Sequence, residues 1–117
     1  MLQWVVLHHT LLDGTSHYDW LFEPAAGAPL LSLRVNSPLG PGNFQSERLP
    51  DHRRIYLTFE GDIGANRGSV KRIQQGSVLH IEASSDAITA ILAHNQNHWQ
   101  LAATPNQVRV VPYTTAK

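Results

Sequence analysis

Residues 17–23 alternate in character. In an extended chain Tyr18, Trp20 and Phe22 share one face, while His17, Asp19 and Glu23 share the other. The pattern predicts a β-strand with one face for burial and one for polar chemistry. An imidazole and a carboxylate at i and i+2 on that face stand roughly 6–7 Å apart at Cα, within reach of one divalent cation. Residues 3–9 are rich in Val and Leu and predict an earlier strand ending in His8-His9. Between the two lies Asp13-Gly14, a strong turn signal, so the strands are expected to form a hairpin. That pairing brings His8 or His9 beside His17 across one local turn, with little loop-closure entropy.

The remainder of the chain reads as short strands and turns. Residues 24–29, bounded by Pro24 and Pro29, predict a loop, and residues 30–35 a third strand. Residues 36–50, crowded with Pro and Gly, predict a long surface loop. Over residues 51–60 the pattern predicts a strand with His52, Arg54, Tyr56, Thr58 and Glu60 on one face and Arg53, Ile55, Leu57 and Phe59 on the other. Histidine, guanidinium and phenol on one face offer hydrogen-bond donors to phosphate oxygens. A turn-rich link over 61–68 leads to strands at 69–75 and 78–83, separated by a Gln75-Gly76 turn. Residues 86–94 suit a helix or a strand, with the strand preferred, and further strands are expected at 98–103 and 107–111. His94 and His98 flank the turn at 95–97 and are expected in solvent. About eight short strands with almost no helical period predict an all-β single domain over residues 1–117, a small closed or nearly closed β-barrel.

Composition narrows the chemistry. The 117 residues contain no cysteine, which excludes a disulfide framework and a thiolate zinc site. Any metal must be held by imidazole and oxygen. Nine basic residues balance nine acidic ones, so a whole-surface, sequence-blind nucleic-acid clamp is not expected. The charge is uneven, however. Arg48, Arg53, Arg54, Arg67, Lys71 and Arg72 lie in one segment against only Asp51, Glu60 and Asp62. Arg67, Lys71 and Arg72 are candidates to track a nucleic-acid backbone. No run is long enough to span a bilayer, and residues 1–10 lack the basic region of a signal peptide, so a cytoplasmic protein with no membrane partner is expected.

The ordered set of motifs resembles the 3′-phosphoesterase domain of bacterial DNA ligase D. The resemblance rests on Trp4-Val5-Val6-Leu7-His8-His9 before the turn and His17-Tyr18-Asp19-Trp20 after it. It continues through Asp51-His52, Tyr56, Phe59-Glu60-Gly61 and Gly68-Ser69-Val70 to Gly76-Ser77 and Trp99-Gln100-Leu101. It implies a compact barrel and a manganese-dependent enzyme that trims the 3′ end of DNA, including an RNA-terminated DNA 3′ end, with a repair ligase or polymerase as partner in trans. Position by position, it implies that His9, His17 and Asp19 bind Mn²⁺ or another divalent cation and that His52 and Tyr56 contact the scissile phosphate. The family pattern has an arginine two residues after the aspartate, where this chain has Leu21. Arg54, on the same expected face as His52 and Tyr56, is the candidate replacement.

Two other functions fit the same residues. One is a barrel without turnover that binds nucleic acid or docks a partner. The other is a cupin-like oxygenase, since two histidines and a carboxylate are also the donor set of non-haem iron.

Overall fold

The computed structural model describes residues 1–114. Nine strands form: β1 (Gln3–Thr10), β2 (Ser16–Phe22), β3 (Leu30–Val35), β4 (Gly42–His52), β5 (Gly61–Asp62), β6 (Ser69–Ala83), β7 (Ile88–His94), β8 (Asn97–Ala103) and β9 (Gln107–Pro112). Pairing runs β1-β2-β3-β4-β9-β8-β7-β6, and β6 pairs back onto β1, so eight strands close a ring. All pairs are antiparallel. Closure removes the exposed sheet edges that an open meander would present. The all-β, nearly barrel-like expectation is met. Among the described residues no helix is long and apolar enough to cross a membrane.

Two apolar layers hold this ring. The barrel interior is filled by Trp4, Val6, Trp20, Phe22, Leu33, Leu92, Leu101 and their neighbours. The second layer lies outside the barrel, where Val5, Leu7, Leu21 and Leu30 are covered by Tyr56 and Val70 and flanked by Leu57, Phe59 and Ile63. Thus β1 is apolar on both sides, which explains why its sequence runs Trp-Val-Val-Leu without alternating. The covering segment is the connection between β4 and β6, and it shapes the groove described below.

Three local readings differ from this fold. Residues 42–50, expected in a loop, belong to β4, whose half-buried positions mix the apolar Phe44 and Leu49 with the polar Ser46 and Arg48, so no clear apolar alternation marks the strand. Its Pro50 is tolerated because the β3–β4 register shifts between Leu30 and Ser32, so no ladder bond is required there. Residues 51–60 are not one strand. After His52 the chain turns into a 3₁₀ helix at Arg54–Leu57, with Tyr56 N donating to Arg53 O at 3.1 Å and Phe59 N to Ile55 O at 2.9 Å. Ile55 consequently faces solvent. Residues 69–83, expected as two strands, form one long β6 that pairs with β1 along its first half and β7 along its second.

Gly76 is therefore a close-approach residue rather than a turn residue. A Cβ there would stand 2.1 Å from Ala93 O and 2.6 Å from Trp4 Nε1, and these two groups are themselves joined by a 3.1 Å hydrogen bond. Gly40, by contrast, has open space around it. Gly76→Ala is expected to lower stability by about 2–4 kcal/mol in chemical denaturation, while Gly40→Ala changes it by less than about 0.5 kcal/mol.

Candidate metal centre and adjoining groove

The hairpin register puts His9 of β1 directly opposite His17 of β2, with Asp19 opposite Leu7. All three side chains emerge on the outer face of the barrel. His8 points the other way and stacks on Tyr18, with ring centroids 4.8 Å apart, so of the two adjacent histidines it is His9 that meets His17. The donor atoms lie close: His9 Nδ1 to His17 Nε2 is 3.1 Å, His17 Nε2 to Asp19 Oδ1 is 3.3 Å and His9 Nδ1 to Asp19 Oδ2 is 3.6 Å.

Protonation favours ligation. His9 Nε2 lies 2.7 Å from Arg67 O, and a carbonyl can only accept, so His9 carries its proton on Nε2. Nδ1 is then a lone pair aimed at the cluster, fixed by the backbone contact that commonly orients a metal-binding histidine. His17 Nε2–H donates to it when no ion is bound. Burial pushes the His17 imidazole below its ordinary value of 6.5; Asp19 opposes that shift, and the neighbouring positive charge of Arg34 reinforces it. His17 is therefore neutral at pH 7.

Asp19 supplies the most telling observation. Its side chain is only 5 % exposed, and Oδ1 has no hydrogen-bond partner despite its 3.3 Å approach to His17. A buried anionic oxygen left in this way is costly unless a cation satisfies it. Three ligand atoms from His9, His17 and Asp19 fall within 4.8 Å of one another. Neighbouring donors around a first-row ion with ligand lengths of roughly 2.1 Å are spaced about 3.0–3.5 Å apart, close to the separations found here. Two imidazoles and a carboxylate fit Mn²⁺, Fe²⁺ or Zn²⁺.

Beside the cluster opens a groove of about 620 Å³. It is lined by His9 and Asp19, by the apolar Leu7, Ile63 and Val70, and by a wall made of His52, Arg53 and Tyr56. His52 and Tyr56 stay together although the strand that was to align them is absent, because the 3₁₀ turn brings their rings to 5.7 Å edge to face. His52 Nδ1 is 3.2 Å from Pro50 O, which leaves Nε2 as its unassigned nitrogen.

Arg54 does not share that wall. Its Nη2 donates to Glu23 Oε2 at 2.7 Å and its Nη1 to Ala28 O at 2.9 Å, tying the 3₁₀ turn to the end of β2. The guanidiniums that do border the groove belong to Arg34, Arg53 and Arg67. Arg53 lies over the Tyr56 ring at 5.8 Å, and Arg67 is engaged with the carbonyls of Ile63 and Gly64. Arg34 was not singled out in the sequence. The available signal was its isolation as the sole charge in Leu-Leu-Ser-Leu-Arg-Val, five of whose six residues are buried. Arg72 donates to Leu57 O and Arg48 to Ser84 O, so part of the basic segment serves to fasten loops. His94 and His98 lie elsewhere. His94 is stacked on Trp99 with its Nδ1 2.9 Å from Gln75 O, and is not simply solvated.

Leu21, at the position of the family's arginine, is fully buried in the outer apolar layer. No protein-family model matches the chain, and no curated protein matches it in sequence.

Three outcomes are expected. Gly68 holds φ +91°, and a Cβ there would fall 2.0 Å from Thr10 O. Gly68→Ala should shift the loop carrying Arg67 O, freeing His9 Nε2 and weakening Mn²⁺ binding about 10- to 100-fold by calorimetric titration. Arg54→Ala leaves the buried Glu23 carboxylate with only the Gln3 amide at 2.8 Å. A loss of about 1–3 kcal/mol is expected, falling by more than half in a Glu23→Gln background. Because the folded His17 pKa lies below 6.5, the unfolded chain takes up this proton first as the pH falls. Metal-free wild type should thus lose stability relative to His17→Gln below about pH 6.5, with a constant difference above pH 7.

Proposed function

We propose that this protein is a divalent-metal-dependent phosphoesterase acting on a nucleic-acid 3′ end. The observation that carries the reading is the unsatisfied Asp19 oxygen beside His9 and His17, at a groove that His52 and Tyr56 also line. The spacing of the motifs and the resemblance to the 3′-phosphoesterase domain support the same chemistry.

His9, His17 and Asp19 would hold Mn²⁺, or another divalent cation. When bound, that ion supplies Lewis acidity toward a phosphoryl oxygen. The chain's own contribution is positional and electrostatic. The Arg67 carbonyl holds the His9 proton on Nε2 and leaves Nδ1 as a lone pair, and burial keeps His17 neutral, so ion binding requires only that the His17 proton move from Nε2 to Nδ1. His52, tethered at Nδ1 by Pro50 O, presents Nε2; as a water oxygen bonds to phosphorus and the ester P–O bond breaks, a proton carried there passes to the leaving 3′ oxygen. Tyr56, only 9 % exposed, buttresses the His52 ring and forms the wall against which the terminal sugar and phosphate would lie. The apolar lining of Leu7, Ile63 and Val70 limits water around the phosphate and strengthens these interactions. The substrate in this reading is DNA with a 3′-phosphate or a terminal ribonucleotide, and a cytoplasmic setting with a repair ligase or polymerase in trans belongs to the same proposal.

Leu21 favours one alternative. With an apolar side chain fixed where the family pattern has a guanidinium, the barrel could bind nucleic acid without turning it over. The donor set would also serve non-haem iron chemistry, but the histidine and guanidiniums around the groove suit phosphate oxygens better.

The deciding assay is phosphate release from a DNA strand ending in a 3′-phosphate. Manganese-dependent release is expected from wild type, with a loss of at least about 100-fold in Asp19→Ala and about 10²- to 10⁴-fold in His52→Ala. Manganese binding without any release would leave the binding-module reading in its place.

A further inference from the structure

Arg34 stands in an unusual position. Register places it directly opposite Asp19 on β2 and opposite Glu47 on β4, on the outer face that carries the candidate metal centre. It is the sole charged residue of β3, and its neighbours Leu33 and Val35 point into the barrel core. Its side chain borders the same groove as Asp19, His9 and His52.

The other guanidiniums near the groove are engaged. Arg54 is held by Glu23 and Ala28 O, Arg67 by two loop carbonyls, and Arg53 lies on the Tyr56 ring. Arg34 has one ion pair among the described residues, to Glu47 Oε1 at 3.9 Å, with both side chains substantially exposed. A pair this long and this solvated contributes little and is readily exchanged. A phosphate dianion, offering bidentate geometry, is a far stronger partner for a guanidinium.

From this geometry we infer that Arg34 is the phosphate-contacting arginine of the groove, released from Glu47 when a phosphomonoester enters beside Asp19. The inference rests on reading the groove as a phosphate site, but it requires no turnover. It also names a route by which this chain supplies a guanidinium from β3 when Leu21 supplies none from β2. Glu47 acts as a competing anion that sets how readily Arg34 is released.

Calorimetric titration of the manganese-loaded protein with inorganic phosphate and with thymidine 3′-monophosphate tests this directly. Arg34→Gln is expected to weaken both ligands about 10- to 100-fold. Its manganese affinity should stay within about threefold of wild type, on the tighter side, because a neighbouring positive charge has gone. Arg34→Lys should recover part of the loss, and Glu47→Gln should tighten phosphate binding by about two- to fivefold, an effect that a merely structural arginine would not produce. Arg109→Gln, on the β9 strand away from the groove, serves as the unchanged control. Phosphate binding unaltered in both Arg34→Gln and Glu47→Gln, or no phosphate binding by wild type at millimolar concentration, overturns the inference. Arg34-dependent binding in a protein that releases no phosphate from a 3′ end upholds it while removing the phosphoesterase reading.

Discussion

A carboxylate withdrawn from water is the constraint around which this structure is arranged. Asp19 sits on an otherwise well-packed β2, flanked by two imidazoles, one of them held by the loop that carries Arg67. Desolvating an anion costs several kcal/mol unless cationic or hydrogen-bonding partners replace the lost water, and one of its oxygens has no hydrogen-bond partner. The arrangement is comprehensible as a site built around a cation.

The hairpin turn and the closed ring both serve that geometry. Leu11 N donates to Thr15 O at 2.8 Å, Gly14 N to Leu11 O at 3.0 Å and Thr15 N to Asp13 Oδ1 at 2.9 Å, which pins the turn and hence the register. A slip of one residue would send His17 and Asp19 to the interior and Tyr18 and Trp20 outward. The filled barrel core opposes that slip with the burial of Trp20 and Phe22, each worth roughly 2–3 kcal/mol. The outer layer then closes over the hairpin, with the Arg54–Glu23 pair and the Arg72–Leu57 contact as fasteners. Charge that looked like a nucleic-acid footprint in the sequence is thus partly the means by which a covering segment is attached.

Much of this was legible in the residues. Alternation in residues 17–23 and the Asp13-Gly14 signal gave the hairpin, and with it the convergence of His8 or His9 with His17 and Asp19, because both depend on local geometry; the preference for His9 came from the family resemblance. Residues 36–60 were misread for a physical reason: the half-buried positions of β4 mix Phe44 and Leu49 with Ser46, Arg48 and His52, whereas residues 54–60 happen to alternate polar and apolar side chains as a strand would. Arg34 lines the groove and Arg54 does not, for the same reason. Which arginine reaches the groove is decided by a turn and a cross-strand register, neither of which is written in the spacing of either residue from His52. Gly76 shows the converse: a glycine beside a glutamine reads as a turn, yet it marks where two strands and an indole approach each other.

Manganese titration of ¹⁵N-labelled protein, followed by paramagnetic broadening of backbone and imidazole signals, tests the central claim most directly. The account predicts saturable broadening centred on His9, His17 and Asp19, extending to Arg34 and Arg67, with His94 and the exposed His80–Glu82 pair unaffected. Broadening that begins at His80 and Glu82, or spreads over surface carboxylates without saturating while His9 and His17 stay sharp, would contradict it.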